Sequence, residues 1–299
     1  MSSTPATTSL RTPVLGAFPS PALVVLAVVS TQLSAAIAKH LFAHIGPLGT
    51  VWFRVGFSAL ILVAIFRPRL RGHPASHLLL AASFGLSLSF MNLFFYEALD
   101  RIPLGIAVTI EFVGPLGVAV IGSRRPLDGL WVVLAGTGIV LLADPGGGAV
   151  EALGVVYALL AGVMWGTYIV LSARVGRVFP SGSGLALGMA VGAVAMLPFG
   201  IAGGGSDLID ARWIATGVAL AVLSSAIPYL LELEALRRLP QHVFGILMSM
   251  EPAVAALVGF LVLGQDLRLR DAVAIALVAC ACAGSSLTAR PAPVTAPEA

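Results

Sequence analysis

The stretch YEALDRIPLGIAVTIEFVGP (residues 96–115) places a glutamate between two prolines in an apolar run. A second stretch, LELEALRRLPQHVFGILMSMEP (residues 231–252), repeats Glu-Ala-Leu and both prolines in the same order. Pro103 and Pro240 are 137 residues apart, and the second prolines keep the same distance without a gap. The pattern predicts an internal duplication of the chain.

The composition indicates that both copies lie in a lipid bilayer. Of the 299 residues, 58% are hydrophobic and 10% are charged, and the mean hydropathy is +1.00. Soluble domains carry about 25% charged residues, and apolar runs long enough to cross a bilayer recur along this chain. We predict an all-α integral membrane protein with ten transmembrane helices, near residues 21–42, 48–66, 75–97, 103–122, 127–143, 152–173, 183–202, 213–234, 240–263 and 270–288.

The duplicated stretch begins in predicted helices three and eight, so the repeat unit has five helices. Because five is odd, the second copy enters the membrane from the opposite side. Inverted repeats are typical of transporters, although a duplicated pore or membrane enzyme would show the same pattern. We expect a disordered N-terminal tail (1–20), a first repeat (21–145), a second repeat (150–288) and a disordered C-terminal tail (289–299).

The positive charges predict the orientation. With the N-terminus inside, eleven Arg and Lys residues fall on the cytoplasmic side and five on the outer side, which favours two cytoplasmic termini. The net charge of +3 is spread between apolar runs, so no nucleic-acid partner is predicted. A cleaved signal peptide is the alternative for the first helix, because Arg11 precedes an apolar stretch and residues 36–38 resemble a cleavage site. Cleavage would break the repeat.

Glu111 and Glu251 lie near the middle of predicted helices four and nine. Pro115 and Pro252 follow them and each removes a backbone hydrogen bond, and Gly114 loosens the first of these turns. Ionisable groups inside a membrane are costly and mark functional sites. We predict that the two glutamates relay protons or bind a substrate ammonium group. A protonated structural glutamate, bonded to a neighbouring helix, is the alternative.

Other charged residues lie closer to the predicted helix ends. We interpret Arg54 in helix two as a partner for a buried glutamate or a substrate carboxylate. The alternative is that its side chain snorkels to the lipid headgroups. Lys39 is interpreted as an interface anchor. Glu97, Glu232 and Glu234 are interpreted as solvated or ion-paired.

A polar pair and two aromatic residues complete the candidate binding site. Asn92 and Tyr229 occupy matched positions 137 residues apart, with Pro228 breaking the helix beside Tyr229. Trp165 and Tyr168 lie in the middle of helix six, away from the interfaces. A binding cavity explains these positions, and hydrogen bonding between helices explains the polar pair nearly as well.

Gly184, Gly188 and Gly192 form GxxxGxxxG in helix seven. This motif favours close helix packing, within the chain or in a homodimer. Cys280 and Cys282 have no histidine cluster beside them, so neither a metal site nor a disulfide is predicted. We identify no cofactor motif, no nucleotide-binding loop and no catalytic constellation.

The segments IPLGIAVTIEFVGPLGVAVIGSRRPLDGLWVVLAG (102–136) and LSSAIPYLLELEALRRLPQHVFGILMSMEPAVAALVGFLVLGQ (223–265) closely resemble the threonine/homoserine exporter branch of the EamA transporters, in the drug/metabolite transporter superfamily. The resemblance covers most of residues 20–288. It implies two inverted EamA repeats, cytoplasmic termini and a central cavity built from helices one, three, four, six, eight and nine. Glu111 and Glu251 are placed in that cavity by the matching motifs.

We therefore predict a bacterial inner-membrane secondary transporter, not an enzyme. It is expected to export a small amino acid such as threonine or homoserine, in exchange for protons. The expected partners are the cargo, protons and the lipid bilayer. Export of another metabolite (an aromatic amino acid, a purine or a drug) is the alternative within this family, and a membrane-embedded enzyme or a passive facilitator is the alternative outside it.

Overall fold

The computed structural model describes residues 18–69, 72–121, 126–142, 151–179, 182–236 and 238–288. The predicted C-terminal tail and nearly all of the predicted N-terminal tail lie outside these ranges. A 3₁₀ turn at Gly205–Ile209 and a π-helical turn at Val222–Ala226 join the α-helices of the described ranges. The helices are α1 (Ser20–Phe66), α2 (Ala75–Arg101), α3 (Leu104–Glu111), α4 (Val113–Ile121), α5 (Pro126–Leu142), α6 (Ala152–Val178), α7 (Ser183–Gly204), α8 (Ala211–Ala221), α9 (Ile227–Leu236), α10 (Gln241–Met248), α11 (Glu251–Leu263) and α12 (Leu269–Thr288).

Many of these helices have the length and composition of membrane spans. Two shorter apolar segments, Gly129–Leu142 and Ala211–Ser225, accompany them in the described chain. The prediction of an all-α, multi-pass membrane protein is therefore confirmed. Within the described residues, the seven segments long and apolar enough to cross a bilayer are Ser20–Phe66, Ala75–Arg101, Leu104–Ile121, Ala152–Val178, Ser183–Ile209, Val243–Leu263 and Leu269–Thr288.

Helix α1 contains a break that separates two pieces. Its 47 residues would extend about twice the ~30 Å thickness of the hydrocarbon layer. Gly46, at φ 64° and ψ 171°, interrupts the helix, and Pro47 follows. Glycine adopts this positive φ without steric cost. Residues near the start of α1 pack against Leu231 of α9, whereas Gly49, after the break, lies against Gly204 of α7.

Prolines interrupt two further membrane segments in the same way. Helix α3 ends at Glu111 and α4 begins at Val113. Because Pro115 has no N–H group, the carbonyl of Glu111, four residues earlier, loses its helical donor. Helix α10 likewise ends at Met248, four residues before Pro252. Helices α3 and α10 each contain 8 residues, so the two breaks occupy matched positions in the duplicated stretches.

Glycines bring α2 and α7 into close contact. A Cβ atom added at Gly85 would lie 1.8 Å from the carbonyl oxygen of Gly188, and one added at Gly192 would lie 1.9 Å from Oγ of Ser89. Gly184 packs against Val175 of α6. The GxxxGxxxG motif of α7 is therefore used for packing inside the chain, and it no longer argues for a homodimer.

We expect Gly85→Ala to destabilise the protein, because the added methyl group has no room beside the α7 backbone. Overpacking of a closely packed site costs about 1–3 kcal/mol, so the thermal unfolding midpoint in detergent should fall. Gly56→Ala is the matched control, since a Cβ at Gly56 meets nothing within 4 Å. Equal midpoints for the two variants would contradict the contact.

Candidate functional site

A cavity of about 520 Å³ lies inside the helix bundle. All of the described helices except α5 and α8 contribute to its lining. This lining is wider than the resemblance implies, because the second piece of α1, α7 and α12 also take part. Its polar and aromatic-polar residues are Thr31, Gln32, Arg54, Ser58, Asn92, Glu111, Trp165, Tyr168, Ser224, Ser225, Glu232, Ser249, Glu251, Ser285 and Ser286.

The cavity extends toward one end of the bundle. Its lining includes Leu185 in the first turn of α7, Phe244 in the first turn of α10 and Ser286 in the last turn of α12. Gly245 of α10 lies against Ser286, so these helix ends are neighbours. The cavity therefore reaches the end of the bundle at which α7 and α10 begin and α12 ends.

Close backbone contact joins α3 and α11 toward the opposite end. The N–H group of Leu104 donates to Oε1 of Gln265 over 3.0 Å, which satisfies one of the donors at the start of α3. A Cβ atom added at Gly105 would lie 2.7 Å from the Cα of Ala256. The side chains of Leu104 and Ala256 are buried. These contacts close the bundle between α3 and α11.

Glu111 and Glu251 both line the cavity at the helix breaks. They are 6% and 8% exposed, respectively, and their carboxylates repel each other when both are ionised. Nε2 of Gln32 donates to Oε1 of Glu251 over 3.0 Å, while Oε2 of Glu251 has no hydrogen-bond partner among the described residues. Glu251 lies in the first turn of α11, where the helix dipole favours a negative charge. Glu111 ends α3, where the dipole disfavours one.

Arg54 lines the cavity. Its Nη1 donates to the hydroxyl of Tyr96 over 3.2 Å, and its guanidinium carbon lies 5.4 Å from the centre of the Tyr96 ring. Among the described residues, no ion pair within 4.0 Å joins Arg54 to Glu111 or Glu251. The attraction between this cation and the two acids acts over a longer distance.

Asn92, Trp165 and Tyr168 also line the cavity. Nδ2 of Asn92 donates to the carbonyl of Leu88 on the same helix over 2.7 Å. Trp165 meets the ring of Phe112 edge-on at a centroid distance of 4.9 Å. The cavity therefore has an aromatic wall beside the break between α3 and α4.

The region of α9 around Tyr229, which the repeat matches to Asn92, is described only in part. Pro228 lines the cavity one turn before Glu232, and the π-helical turn at Val222–Ala226 directly precedes α9. The side chain of Tyr229 lies outside the described part of the chain. The predicted pairing of Asn92 with Tyr229 therefore stays a prediction.

Gly114, predicted to loosen its turn, also takes part in a close contact between helices. A Cβ atom added at Gly114 would lie 1.9 Å from the carbonyl oxygen of Gly162 on α6. This glycine therefore allows α4 to pack directly against the α6 backbone. The neighbouring Pro115 lines the cavity, whereas Pro252 is buried at the start of α11.

Glu232 lies in the cavity rather than at a solvated helix end, whereas Lys39 lies beside a helix end. Glu232, interpreted as solvated or ion-paired, lines the cavity and interacts electrostatically with Glu251. Lys39, interpreted as an interface anchor, donates through Nζ to the carbonyl of Leu99 over 2.8 Å, near the end of α2. The sequence could have indicated that Glu232 faces the cavity. Glu232 lies one helical turn after Pro228, and residues four apart share a helix face.

Two of the helix-end assignments hold. Glu97 pairs with Arg101 at 2.7 Å, and Glu234 pairs with Arg238.

Sequence reasoning missed several small polar residues of the lining. Gln32 and Thr31 come from the first piece of α1, and Ser58 comes from the second. Ser224 and Ser225 come from the π-helical turn. Polar residues within the apolar runs of α1 could have indicated a cavity lining. They did not decide it, because small polar side chains in membrane helices also serve packing between helices.

No group of three or more His, Cys, Asp or Glu residues suited to a metal ion occurs among the described residues.

We expect a cysteine at position 286 to react with a charged, water-soluble thiol reagent from one side of the membrane only, because Ser286 lines the cavity where it approaches one end of the bundle. The variant is Ser286→Cys with both native cysteines replaced by alanine. Labelling is followed by a gel shift, in intact cells and in inverted membrane vesicles.

The control protein keeps Cys280 alone. Cys280 is exposed on the outside of α12, where lipid excludes a charged reagent. Reaction of Cys280 at the rate of the position-286 cysteine, or no reaction at position 286 from either side, would contradict the assigned cavity.

Apolar spans, proline-interrupted helices and a central cavity that holds charged side chains define a membrane transporter. Residues 152–287 match the EamA-like transporter family. The threonine/homoserine exporter RhtA of Salmonella typhimurium LT2 is 42% identical over 274 residues, which cover 90% of this chain and 92% of the relative. The exporter of the same name from Escherichia coli K12 is 41% identical over 271 residues, covering 90% and 91%. The chain belongs to the EamA-like transporter family.

A solved crystal structure supports the fold. It is 19% identical to this chain and superposes with a TM-score of 0.61, over 91% of this chain and 99% of the other. At this identity the likeness concerns the fold alone. Together with the curated relatives, the family match confirms the predicted resemblance and the prediction of a transporter rather than an enzyme.

Proposed function

We propose that this protein exports a small zwitterionic amino acid, such as threonine or homoserine, across the bacterial inner membrane in exchange for protons. One observation carries the proposal: the described lining of the cavity holds the cation Arg54 together with the carboxylates Glu111, Glu232 and Glu251. The relatives named threonine/homoserine exporters, which match 90% of the chain, support the same cargo.

The cavity has partners for both charges of a zwitterion. A guanidinium group holds a carboxylate through two parallel hydrogen bonds, and Arg54 has five N–H donors, of which one bonds to Tyr96. On the acidic side, Oε2 of Glu251 is buried without a partner among the described residues. An unpaired buried acceptor is costly; an ammonium group would donate a hydrogen bond to it, and a proton would remove its charge.

Proton exchange rests on the two glutamates at the helix breaks. They are buried, and their carboxylates repel each other when both are ionised, so binding of a cationic group or a proton at one of them changes the field at the other. We propose that Glu111 and Glu251 release protons when cargo binds and take them up when it leaves. Such coupling needs no ATP.

We propose that the fold is a ten-helix inverted repeat, with repeats at 21–145 and 150–288. Counting the two pieces of α1 separately, and joining α3 with α4, α8 with α9 and α10 with α11, gives ten segments. The matched breaks that end α3 and α10 support the duplication. With both termini in the cytoplasm, as the positive charges favour, the cavity extends toward the cytoplasm, which suits the loading step of an exporter.

An aromatic amino acid is the second candidate cargo. The 520 Å³ cavity is large for threonine, and Trp165, Tyr168 and Phe112 form part of its wall. Competition experiments with labelled threonine separate the two candidates. If the aromatic wall binds cargo, unlabelled phenylalanine would inhibit threonine transport. Under the first proposal, only unlabelled threonine or homoserine would inhibit it.

Purified protein in liposomes with an imposed pH gradient is expected to move labelled threonine or homoserine uphill, and the movement should stop when the gradient is collapsed. Glu111→Gln should abolish the uphill movement, because an amide cannot bind and release a proton. Movement down a concentration gradient, measured without a pH gradient, separates an inactive protein from an uncoupled one.

Glu97→Gln is the matched control for this variant. It removes a carboxylate that pairs with Arg101 near the end of α2 and that does not belong to the described cavity lining. Uphill transport should therefore persist in this control. Full uphill activity of Glu111→Gln would refute the coupling role, and transport that never exceeds equilibrium in the parent would indicate a facilitator.

A further inference from the structure

A cluster of three hydroxyl groups lies on the wall of the cavity. Oγ of Ser58 and Oγ of Ser225 are 2.8 Å apart, and Oγ of Ser224 is 3.3 Å from Oγ of Ser225. All three residues line the cavity. This hydroxyl cluster joins the second piece of α1 to the π-helical turn Val222–Ala226, and wide turns of this type occur frequently at functional sites.

The π-helical turn is held in place by a residue outside the described cavity lining. Oγ of Ser30, on the first piece of α1, donates to the carbonyl of Leu223 over 2.8 Å. Ser30 is 8% exposed and does not belong to the described cavity lining. A carbonyl of the widened turn therefore has a partner outside the described lining, and Ser224 and Ser225 line the cavity.

The hydroxyl cluster retains hydrogen-bonding capacity. Each serine hydroxyl has one donor and two acceptor positions, and the two contacts within the cluster use only two of its three donors. Among the described residues, the side chains of Ser58, Ser224 and Ser225 make no hydrogen bonds other than these two contacts. One donor and several lone pairs are left for a ligand, and such a site suits a neutral hydroxyl group, which both donates and accepts.

The position of the cluster relative to Arg54 limits the kind of ligand. Arg54 and Ser58 are four residues apart on the second piece of α1, so their side chains share a helix face, with Cβ atoms about 5–6 Å apart. In threonine and homoserine, the carboxylate and the side-chain hydroxyl are only a few covalent bonds apart. A carboxylate on Arg54 therefore leaves the hydroxyl of such a molecule within reach of the cluster.

We propose that the Ser58–Ser225–Ser224 hydroxyl cluster recognises the side-chain hydroxyl of the exported amino acid and thereby determines cargo specificity. This inference rests on the proposed function, since it assigns part of the same cavity. A site that hydrogen-bonds a hydroxyl discriminates against an analogue without it, because polar groups of the site are then left unpaired. Valine has the shape of threonine without the hydroxyl, and norvaline has that of homoserine.

The test compares labelled threonine and labelled valine in proteoliposomes, as a ratio of initial rates at low concentration. The parent protein is expected to prefer threonine. Ser225→Ala should reduce the ratio of threonine to valine roughly three- to tenfold, the factor that one neutral hydrogen bond provides. Ser225→Thr keeps the hydroxyl and should preserve the preference. Homoserine and norvaline, compared in the same way, should give the same order.

Ser30→Ala is the matched structural control. It removes a hydrogen bond to the same π-helical turn but no hydroxyl from the cavity, so it is expected to lower stability without changing the ratio. Ser58→Ala, at the other end of the cluster, should lower the ratio as Ser225→Ala does, and it serves as the test if Ser225→Ala does not fold.

The outcomes separate this inference from the proposed function. A parent protein that moves neither amino acid would overturn the proposed function itself. A parent that moves threonine and valine at equal rates would leave amino-acid export standing and overturn the hydroxyl cluster as a specificity site. The same conclusion follows if the parent prefers threonine and both alanine variants keep the full preference, or if Ser30→Ala lowers the ratio as strongly as they do.

Discussion

Backbone hydrogen bonding in lipid is the constraint on which the rest of this structure depends. Water is absent from the bilayer core, so each N–H and C=O group needs a partner within the protein or must face a water-filled cavity. Pro115 and Pro252 each remove one helical donor, leaving the carbonyls of Glu111 and Met248 without their usual partners. The broken helices are tolerable because they meet at the centre of the bundle, where a cavity adjoins them.

Glycine contacts shape the cavity by bringing some helices together and leaving space between others. Gly114 lets α4 touch the α6 backbone, and Gly85 does the same for α2 against α7. Both contacts require the absence of a side chain, since a Cβ would lie within 2 Å of a carbonyl oxygen. Toward the end where α3 begins, the contact of Gly105 with Ala256 closes the bundle. The cavity thus extends toward one end of the bundle. In alternating access, each state of a transporter opens its site toward only one side of the membrane.

The distribution of charge within that space relates the fold to transport. Arg54 belongs to the second piece of α1, whereas the three acids come from the broken or π-interrupted segments that contain α3, α9 and α11. Cation and acids therefore belong to different segments, and relative movement of these segments would change their mutual attraction. Under the proposed function, cargo that carries both charges would interact with both sets of segments at once, and its binding would then have an energetic effect on the conformation.

The sequence by itself determined the membrane class, the approximate spans and the matched proline breaks, and it singled out Glu111 and Glu251, which line the cavity. These features depend on composition, run length and proline spacing, and a carboxylate stands out in an apolar run. Gln32, Glu232 and the serines of the cavity required the tertiary structure. The helices are apolar on nearly all sides, so no polar stripe reveals which face meets the cavity rather than lipid or a neighbour. Helix packing alone decides that, through contacts between residues far apart in the chain.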